Sequence, residues 1–379
     1  MKLHGAWLED PAAQAACAAL IAGGHQALFV GGCVRNALLN MPIGDIDIAT
    51  DATPDRAMAL AALAGIKALP TGIEHGTVTF IIRRHPHEVT TFRRDVQTDG
   101  RHAVVAFSRR IEEDAARRDF TMNALYARPD GTLVDPLGGL PDLLARRLRF
   151  VGDPATRIRE DYLRILRFFR FHAWYGDPEA GVDAEGLAAC AAGVDGLSSL
   201  SRERVGAEFR KLLAAPDPAP ALASMAHAGA LHALLPGTDP RYLSPLIHLE
   251  DGLPIRWLRR LAVLGGDNLA DLLRLSRAEA RQLAHLRAAA TGTDSPAVLA
   301  QKYGADEATD ALLVRAALNE TPLPPGWQAE VARGAAAQFP VTAADLPALI
   351  GPALGQELKR LERLWRDSDL RLTKADLLR

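Results

Sequence analysis

The sequence predicts an α+β protein: a small mixed sheet with helices over residues 1–139, followed by an all-α remainder. Three observations carry that prediction. Short apolar or β-branched runs, Leu28–Val30, Gly76–Ile82 and His87–Phe92, alternate with helical patterns in the first part of the chain. From about residue 140 the pattern is helical and rich in Ala, Leu and Arg. Between them, the stretch LFVGGCVRNALLNMPIGDIDIAT (28–50) sets a Gly-Gly pair after the first strand and two aspartates shortly downstream.

Taken in order, residues 8–24 read as a helix ending at Gly23-Gly24, and Leu28-Phe29-Val30 as a buried strand. Gly31-Gly32 then opens a helix with Val34, Ala37, Leu38 and Met41 on one side, stopped by Pro42 and Gly44. Asp45-Ile46-Asp47-Ile48 alternates polar and apolar, so on a strand Asp45 and Asp47 share one face and the isoleucines the other. Two carboxylates that close repel unless a cation sits between them, and a hard divalent cation such as Mg²⁺ suits their oxygens. A Gly-Gly turn lets backbone N–H groups approach a phosphate, and Arg35 falls in the first turn beyond it. Phosphate cradle and carboxylate pair together point to phosphoryl or nucleotidyl transfer by two metals.

Thr53-Pro54-Asp55 starts a third helix, which runs to Gly65. The two β-rich runs that follow are joined by Arg83-Arg84-His85-Pro86, a hairpin signal. Glu88 joins Asp45 and Asp47 if its strand pairs beside theirs. Residues 94–104 read as a polar loop, and Leu125-Tyr126 and Leu133-Val134 as a hairpin around Pro129-Asp130-Gly131. Asp119 and Asn123 stand four apart and share a face if helical. Beyond residue 140, a helix from Asp153-Pro154 carries Arg157, Glu160, Asp161, Arg164 and Arg167 among apolar residues. Further helices are expected at 256–264, 268–290, 294–302, 305–318 and about 354–367, with a linker at 321–326. Lys359, Arg360, Arg363 and Arg366 on the last helix read as a solvated face.

Bulk properties narrow the function. The chain has 379 residues, 48% apolar and 24% charged, with net charge −2, so it is no simple nucleic-acid coat. Arg83–Arg170 nevertheless holds 18 Arg and no Lys against 13 Asp and Glu, and arginine suits planar recognition of phosphates and base edges. No run of 18 apolar residues suggests a membrane span. Acids stand near the N-terminus where a signal peptide needs an apolar stretch. Cys17, Cys33 and Cys190 are too few and scattered for a disulfide framework or zinc site, so a cytoplasmic location is expected. Cys33 reads as a small buried residue.

The run Gly31-Gly32-Cys33-Val34-Arg35 through Asp45-x-Asp47 resembles the signature of the class II tRNA nucleotidyltransferase/poly(A) polymerase family, within the polymerase-β-like nucleotidyltransferase superfamily. Asn36 departs from it, since the family often has Asp there. Arg117-Arg118-Asp119-Phe120-Thr121-Met122-Asn123 resembles the second family motif, Glu160-Asp161-x-x-Arg164 a third and Ser201–Lys211 a fourth. The resemblance is strong over residues 27–211.

It implies a catalytic head at 1–139, a neck with nucleobase recognition at 140–215, a body at 216–320 and a tail at 321–379 that contacts tRNA. The implied activity is addition of CCA to the tRNA 3′ end from CTP and ATP, with pyrophosphate release. Asp45 and Asp47 would hold two Mg²⁺ ions and Glu88 would contribute; Gly31, Gly32, Arg35, Arg117 and Arg118 would hold phosphates. Asp119 and Asn123 would reach a ribose. Asp161 and Arg164, three apart on a helix, would read the base, with Arg167 nearby. The 94–104 loop would close over the site. A poly(A) polymerase of the same family shares every one of these motifs. An RNA-binding protein with a retired site is disfavoured by the intact Asp45, Asp47 and Arg35. No protein partner is suggested.

Overall fold

The computed structural model describes residues 1–99 and 102–379. The chain divides into two compact units, one of Met1–Glu208 with Pro220–Leu234, the other of Phe209–Ala219 with Leu235–Arg379.

The first unit is built on a mixed seven-stranded sheet. Helix α1 (Pro11–Ala22) starts where Asp10 accepts the N–H groups of Ala12 and Ala13, both at 2.8 Å. Strand β1 (Ala27–Val30) is buried on both faces, α2 (Gly32–Leu38) follows at once, and β2 (Ile48–Thr50) pairs antiparallel to β1. After α3 (Pro54–Leu63) come β3 (Lys67–Gly72), β4 (Thr77–Ile82) and β5 (His85–Thr91). Only two residues, Arg83 and Arg84, join β4 to β5, both at positive φ. That is the hairpin twist that matches right-handed strands, here adopted without glycine. β5 lies parallel to β2. The ribbon β6 (Arg93–Asp99) and β7 (His102–Phe107) forms a separate antiparallel pair. A polar loop was expected at 94–104; strand pairing occupies most of it, and the tip, where closure was expected, lies outside the described residues.

Helix α4 (Ile111–Ala116) and the short strands β8 (Tyr126–Ala127) and β9 (Leu133–Val134) complete the sheet, in the order β3-β4-β5-β2-β1-β8-β9. Leu28 and Val30 from one face of β1 enter a core with Ala49, Phe92, Ala115, Ala124, Tyr126 and Val151. Phe29, on the other face, meets the Trp7 ring edge at 5.4 Å.

The rest of this unit is helical: α5 (Leu140–Leu144), α6 (Pro154–Glu160), α7 (Leu163–Tyr175), α8 (Ala184–Ala192) and the start of α9 (Arg202–Leu213). One continuous helix was expected through Asp161. It breaks there instead, with Asp161 in an extended conformation (φ −156°, ψ 107°). Phe168 of α7 stacks on Phe150 at 5.4 Å and closes the aromatic core around Phe120.

The second unit is helical among its described residues. The helix expected over 268–290 is interrupted: Leu269–Leu272 ends, and Ser276 caps Arg277–Thr291 with a reciprocal Glu279 bond. Its core encloses Glu250, Arg259, Arg260 and Asp310, each at most 5% exposed and mutually paired. The sequence pattern gives no hint of this quartet. Near the C-terminus Val341, Leu361, Trp365 and Leu377 pack together, and Arg360 and Arg366 pair with Glu357 and Glu362 of their own helix.

Candidate active site

The site lies at the end of the sheet where β1 finishes and β2 begins. Gly31 takes φ +72°, a left-handed value costly for a residue with a Cβ. A Cβ there would also come within 3.4 Å of Arg118 Nη1. Arg118 is thus held against the glycine turn. Its Nε donates to Tyr126 Oη at 3.1 Å and its Nη2 to Asp114 Oδ2 at 3.0 Å, leaving Nη1 beside Gly31. Tyr126 Oη donates to the same Asp114 oxygen at 2.7 Å, and Arg117 Nε donates to Asp114 Oδ1 at 2.8 Å. Burial would raise the Asp114 carboxyl, yet Arg118, Arg117 and these hydrogen bonds bring it down to about 2. Asp114 was not singled out in the sequence; its place three and four residues before the arginine pair was the available signal.

Asp45 and Asp47 precede β2 rather than lying in it, since pairing begins at Ile48. Their backbone is already tied to the sheet, because Val30 N–H donates to Asp47 O at 3.0 Å. The parallel register Ile48 to Val89 sets Glu88 beside Asp47, and Glu88 is on the exposed face of β5. Burial first, then the charges of Glu88 and Asp45, push the Asp47 carboxyl up to about 6, against the pull of Arg118. The structure therefore brings Asp45, Asp47, Glu88, Arg118 and the glycine turn together. Such crowded carboxylates suit a hard divalent cation. Among the described residues no group of three or more His, Cys, Asp or Glu side chains closes to metal-holding distance.

Four expected contact residues are engaged inside the protein. Arg35 is 7% exposed; it donates to Asn123 Oδ1 at 2.6 Å, to Asn36 Oδ1 and to Tyr175 Oη at 2.7 Å, and stacks 4.0 Å over the Tyr175 ring. An open phosphate contact was expected of it; the guanidinium is instead buried and fully engaged. Asn36, the departure from the family pattern, is one of its acceptors. Asn123 sits in a 3₁₀ turn, not an α-helix, and donates to Asp119 Oδ1 at 3.0 Å. Asp119 Oδ2 accepts Arg167 Nε at 2.7 Å. Burial opposes ionisation of Asp119, but Arg167 and Asn123 outweigh it and hold the carboxyl at about 2. The result is a chain, Tyr175–Arg35–Asn123–Asp119–Arg167, that ties the glycine helix to α7.

Asp161 and Arg164 are likewise not the same-face helical pair expected, because the helix breaks between them. Asp161 Oδ2 accepts Arg204 Nη2 at 2.6 Å and its Oδ1 caps Leu163 N–H at 3.1 Å. Arg164 Nη1 is bound by Glu160 and by Arg157 O at 2.7 Å. Arg204 is a second residue whose part the sequence reading left open. Nearby, Arg94, Glu113, Ala116, Arg117, Arg157 and Glu160 line a cavity of about 180 Å³ between the arginine pair and α6.

A sheet that delivers paired aspartates opposite a glycine turn and a positioned arginine defines a nucleotidyltransferase-type head. Residues 27–149 match the Poly A polymerase head domain, and residues 182–241 a domain described as the probable RNA and SrmB-binding site of polymerase A. Over 190 residues the chain is 43% identical to human mitochondrial CCA tRNA nucleotidyltransferase 1, covering 50% of this chain and 44% of that protein. Over 241 residues it is 42% identical to the CCA-adding enzyme of Geobacillus thermodenitrificans, covering 63% and 54%. The chain thus spans about half the length of these curated relatives. The CCA-adding enzyme of Bacillus stearothermophilus, solved in complex with CTP, superposes with a TM-score of 0.75 at 29% identity, over 94% of this chain and 93% of that one. By these matches the chain is similar, over residues 27–149 and 182–241, to the head and RNA-binding domains of the class II tRNA nucleotidyltransferase/poly(A) polymerase family.

Proposed function

We propose that this protein adds CCA to the 3′ end of tRNA, taking CTP and ATP as substrates and releasing pyrophosphate. The observation that carries the reading is the convergence of Asp45, Asp47 and Glu88 with Arg118 and Gly31. Likeness to CCA-adding enzymes, one of them CTP-bound and matched over nearly its whole length, favours CCA over a poly(A) tail.

Asp45 and Asp47 offer hard oxygen ligands for two Mg²⁺ ions, which when bound would acidify the tRNA 3′-hydroxyl and neutralise the departing pyrophosphate. The chain's own groups do the rest. The turn at Gly31 and Gly32 lets backbone N–H groups approach the triphosphate. Arg118 Nη1 faces the same space, and Tyr126 and Asp114 fix its orientation. Arg117 and Arg157 border the cavity beside it. Glu88 adds negative charge that strengthens cation binding. Asp161 and Arg164 contribute acceptors and donors to the base, with Arg204 and Glu160 setting their orientation. Asp119 and Asn123 act through Arg35 and Arg167, as positioning residues. We assign residues 1–139 to the catalytic head, 140–215 to the neck, 216–320 to the body and 321–379 to a tRNA-binding tail. We place the protein in the cytoplasm, consistent with its bacterial relatives and three buried free thiols.

The test is incubation of tRNA lacking CCA with each nucleoside triphosphate alone and with CTP plus ATP, the products resolved to single nucleotides. CTP alone should add two residues, and both together three. An unbounded ladder with ATP alone would instead identify a poly(A) polymerase.

A further inference from the structure

The opposite end of the sheet carries a second cavity, of about 360 Å³, lined by His25, Asp51, Thr53, Arg56, Phe107, Ser108 and Arg109. Along β1 and β2 it stands four residue steps from the active site, Ala27 to Gly31 and Asp51 to Asp47, a separation on the order of 13 Å. It shares no residue with the site described above.

Its chemistry is that of a nucleotide pocket. At its floor His25 Nδ1 lies 3.2 Å from Asp51 Oδ1, which also accepts the Gln26 N–H at 2.7 Å. This fixes the imidazole through Nδ1 and Oδ1, so that His25 Nε2 and Asp51 Oδ2 are the polar atoms these two lining residues have left for a ligand. Arg56 and Arg109, on the rim, are exposed and have no side-chain partner among the described residues, whereas most arginines near the active site are paired. Phe107 is 44% exposed and its ring lies beside Gly76, where a Cβ would come within 2.9 Å of it. A supported aromatic face, two unpaired guanidiniums and a carboxylate–imidazole pair match the three parts of a ribonucleotide. The base stacks on the ring, the phosphate meets the arginines, and the ribose hydroxyls are bound by the carboxylate and imidazole. The volume lies within the range of small-ligand sites.

We propose that this cavity binds one ribonucleotide monophosphate unit, either a residue of an RNA strand or a free nucleotide. The proposal does not depend on how the active site is read.

Hydrogen–deuterium exchange on the whole protein tests it, with 5′-AMP, 5′-CMP and the pentamers r(A)5 and d(A)5 as probes. Peptides covering 24–28, 51–57 and 106–110 should gain protection that saturates with probe. The half-saturating concentration should rise about tenfold or more in R56E/R109E, and clearly in F107A, because phosphate charge and base stacking are lost separately. r(A)5 should outbind d(A)5. Protection by the pentamer alone assigns the site to an RNA strand; equal protection by the mononucleotides assigns it to a free nucleotide. Protection confined to peptides around Gly31 and Arg118 overturns the proposal. So does protection unchanged in R56E/R109E or, should that variant melt early, in R56Q/R109Q.

Discussion

At the scale of single residues, the site separates groups left open toward its cleft, on the proposed function the ones that would meet substrate, from groups engaged inside the protein. Arg35 is the clearest of the second kind, since its donors go to Asn36, Asn123 and Tyr175. Arg35→Ala should therefore destabilise the fold by about 2–4 kcal/mol, because it leaves buried acceptors unpaired. Urea unfolding measures this. An unchanged midpoint, with only a raised KM for nucleotide, would restore the phosphate contact first expected of Arg35. Gly31→Ala is expected to cost about 1–2 kcal/mol from the left-handed backbone alone. It should also lower kcat/KM, because the added methyl takes the space beside Arg118 Nη1 in the turn. Loss of stability without loss of activity would separate the turn from the chemistry.

At the scale of elements, the break between α6 and α7 matters most. It turns Asp161 toward Arg204 and Arg164 toward Glu160. Arg204→Ala should then relax discrimination against UTP and GTP much as Asp161→Ala does. The double variant should show less than the sum of the two effects, measured as kcat/KM ratios for correct and incorrect nucleotides. Additive effects, or selectivity unchanged in folded variants, would leave Arg204 a stability residue. The elements also show what could be read from the sequence. Leu28–Val30, the Gly-Gly turn and the β4–β5 hairpin followed from alternation and turn chemistry, which are local, whereas Glu88 was placed only on the condition that its strand pair beside that of Asp45 and Asp47, as β5 does with β2. The break at Asp161 was not legible; there Asp161 pairs with Arg204, 43 positions away. The ribbon at 93–107 was also missed: its polar sequence resembles a loop, and cross-strand pairing decides. Nor could the Arg35–Asn123–Asp119–Arg167 chain be read, since Arg35 and Asn123 are 88 residues apart.

At the scale of the whole molecule, two buried carboxylates set the acid limit of the first unit. Asp114 and Asp119 are each held at about 2, below their ordinary range. A depressed carboxyl contributes stability that is complete above the unfolded value near 4 and is lost as pH falls through 2. Stability should therefore drop steeply between about pH 4 and pH 2, and Asp119→Asn should be less stable at pH 7 but flatter over that interval. Thermal melts across pH check it; a parallel, unflattened curve would contradict the assignment. On the proposed function, RNA affinity should likewise fall steeply with salt, because the net positive 83–170 stretch would lie against RNA phosphates. The account as a whole rests on the carboxylate pair, and the most direct test is the rate at which Asp47→Ala extends tRNA lacking CCA with CTP and ATP in Mg²⁺. The wild-type protein should complete CCA, while the variant, folded as judged by its melt, should be slower by about three orders of magnitude. A variant that keeps more than about a tenth of the wild-type rate would contradict the account, because so small a loss leaves no room for an essential charge at that position.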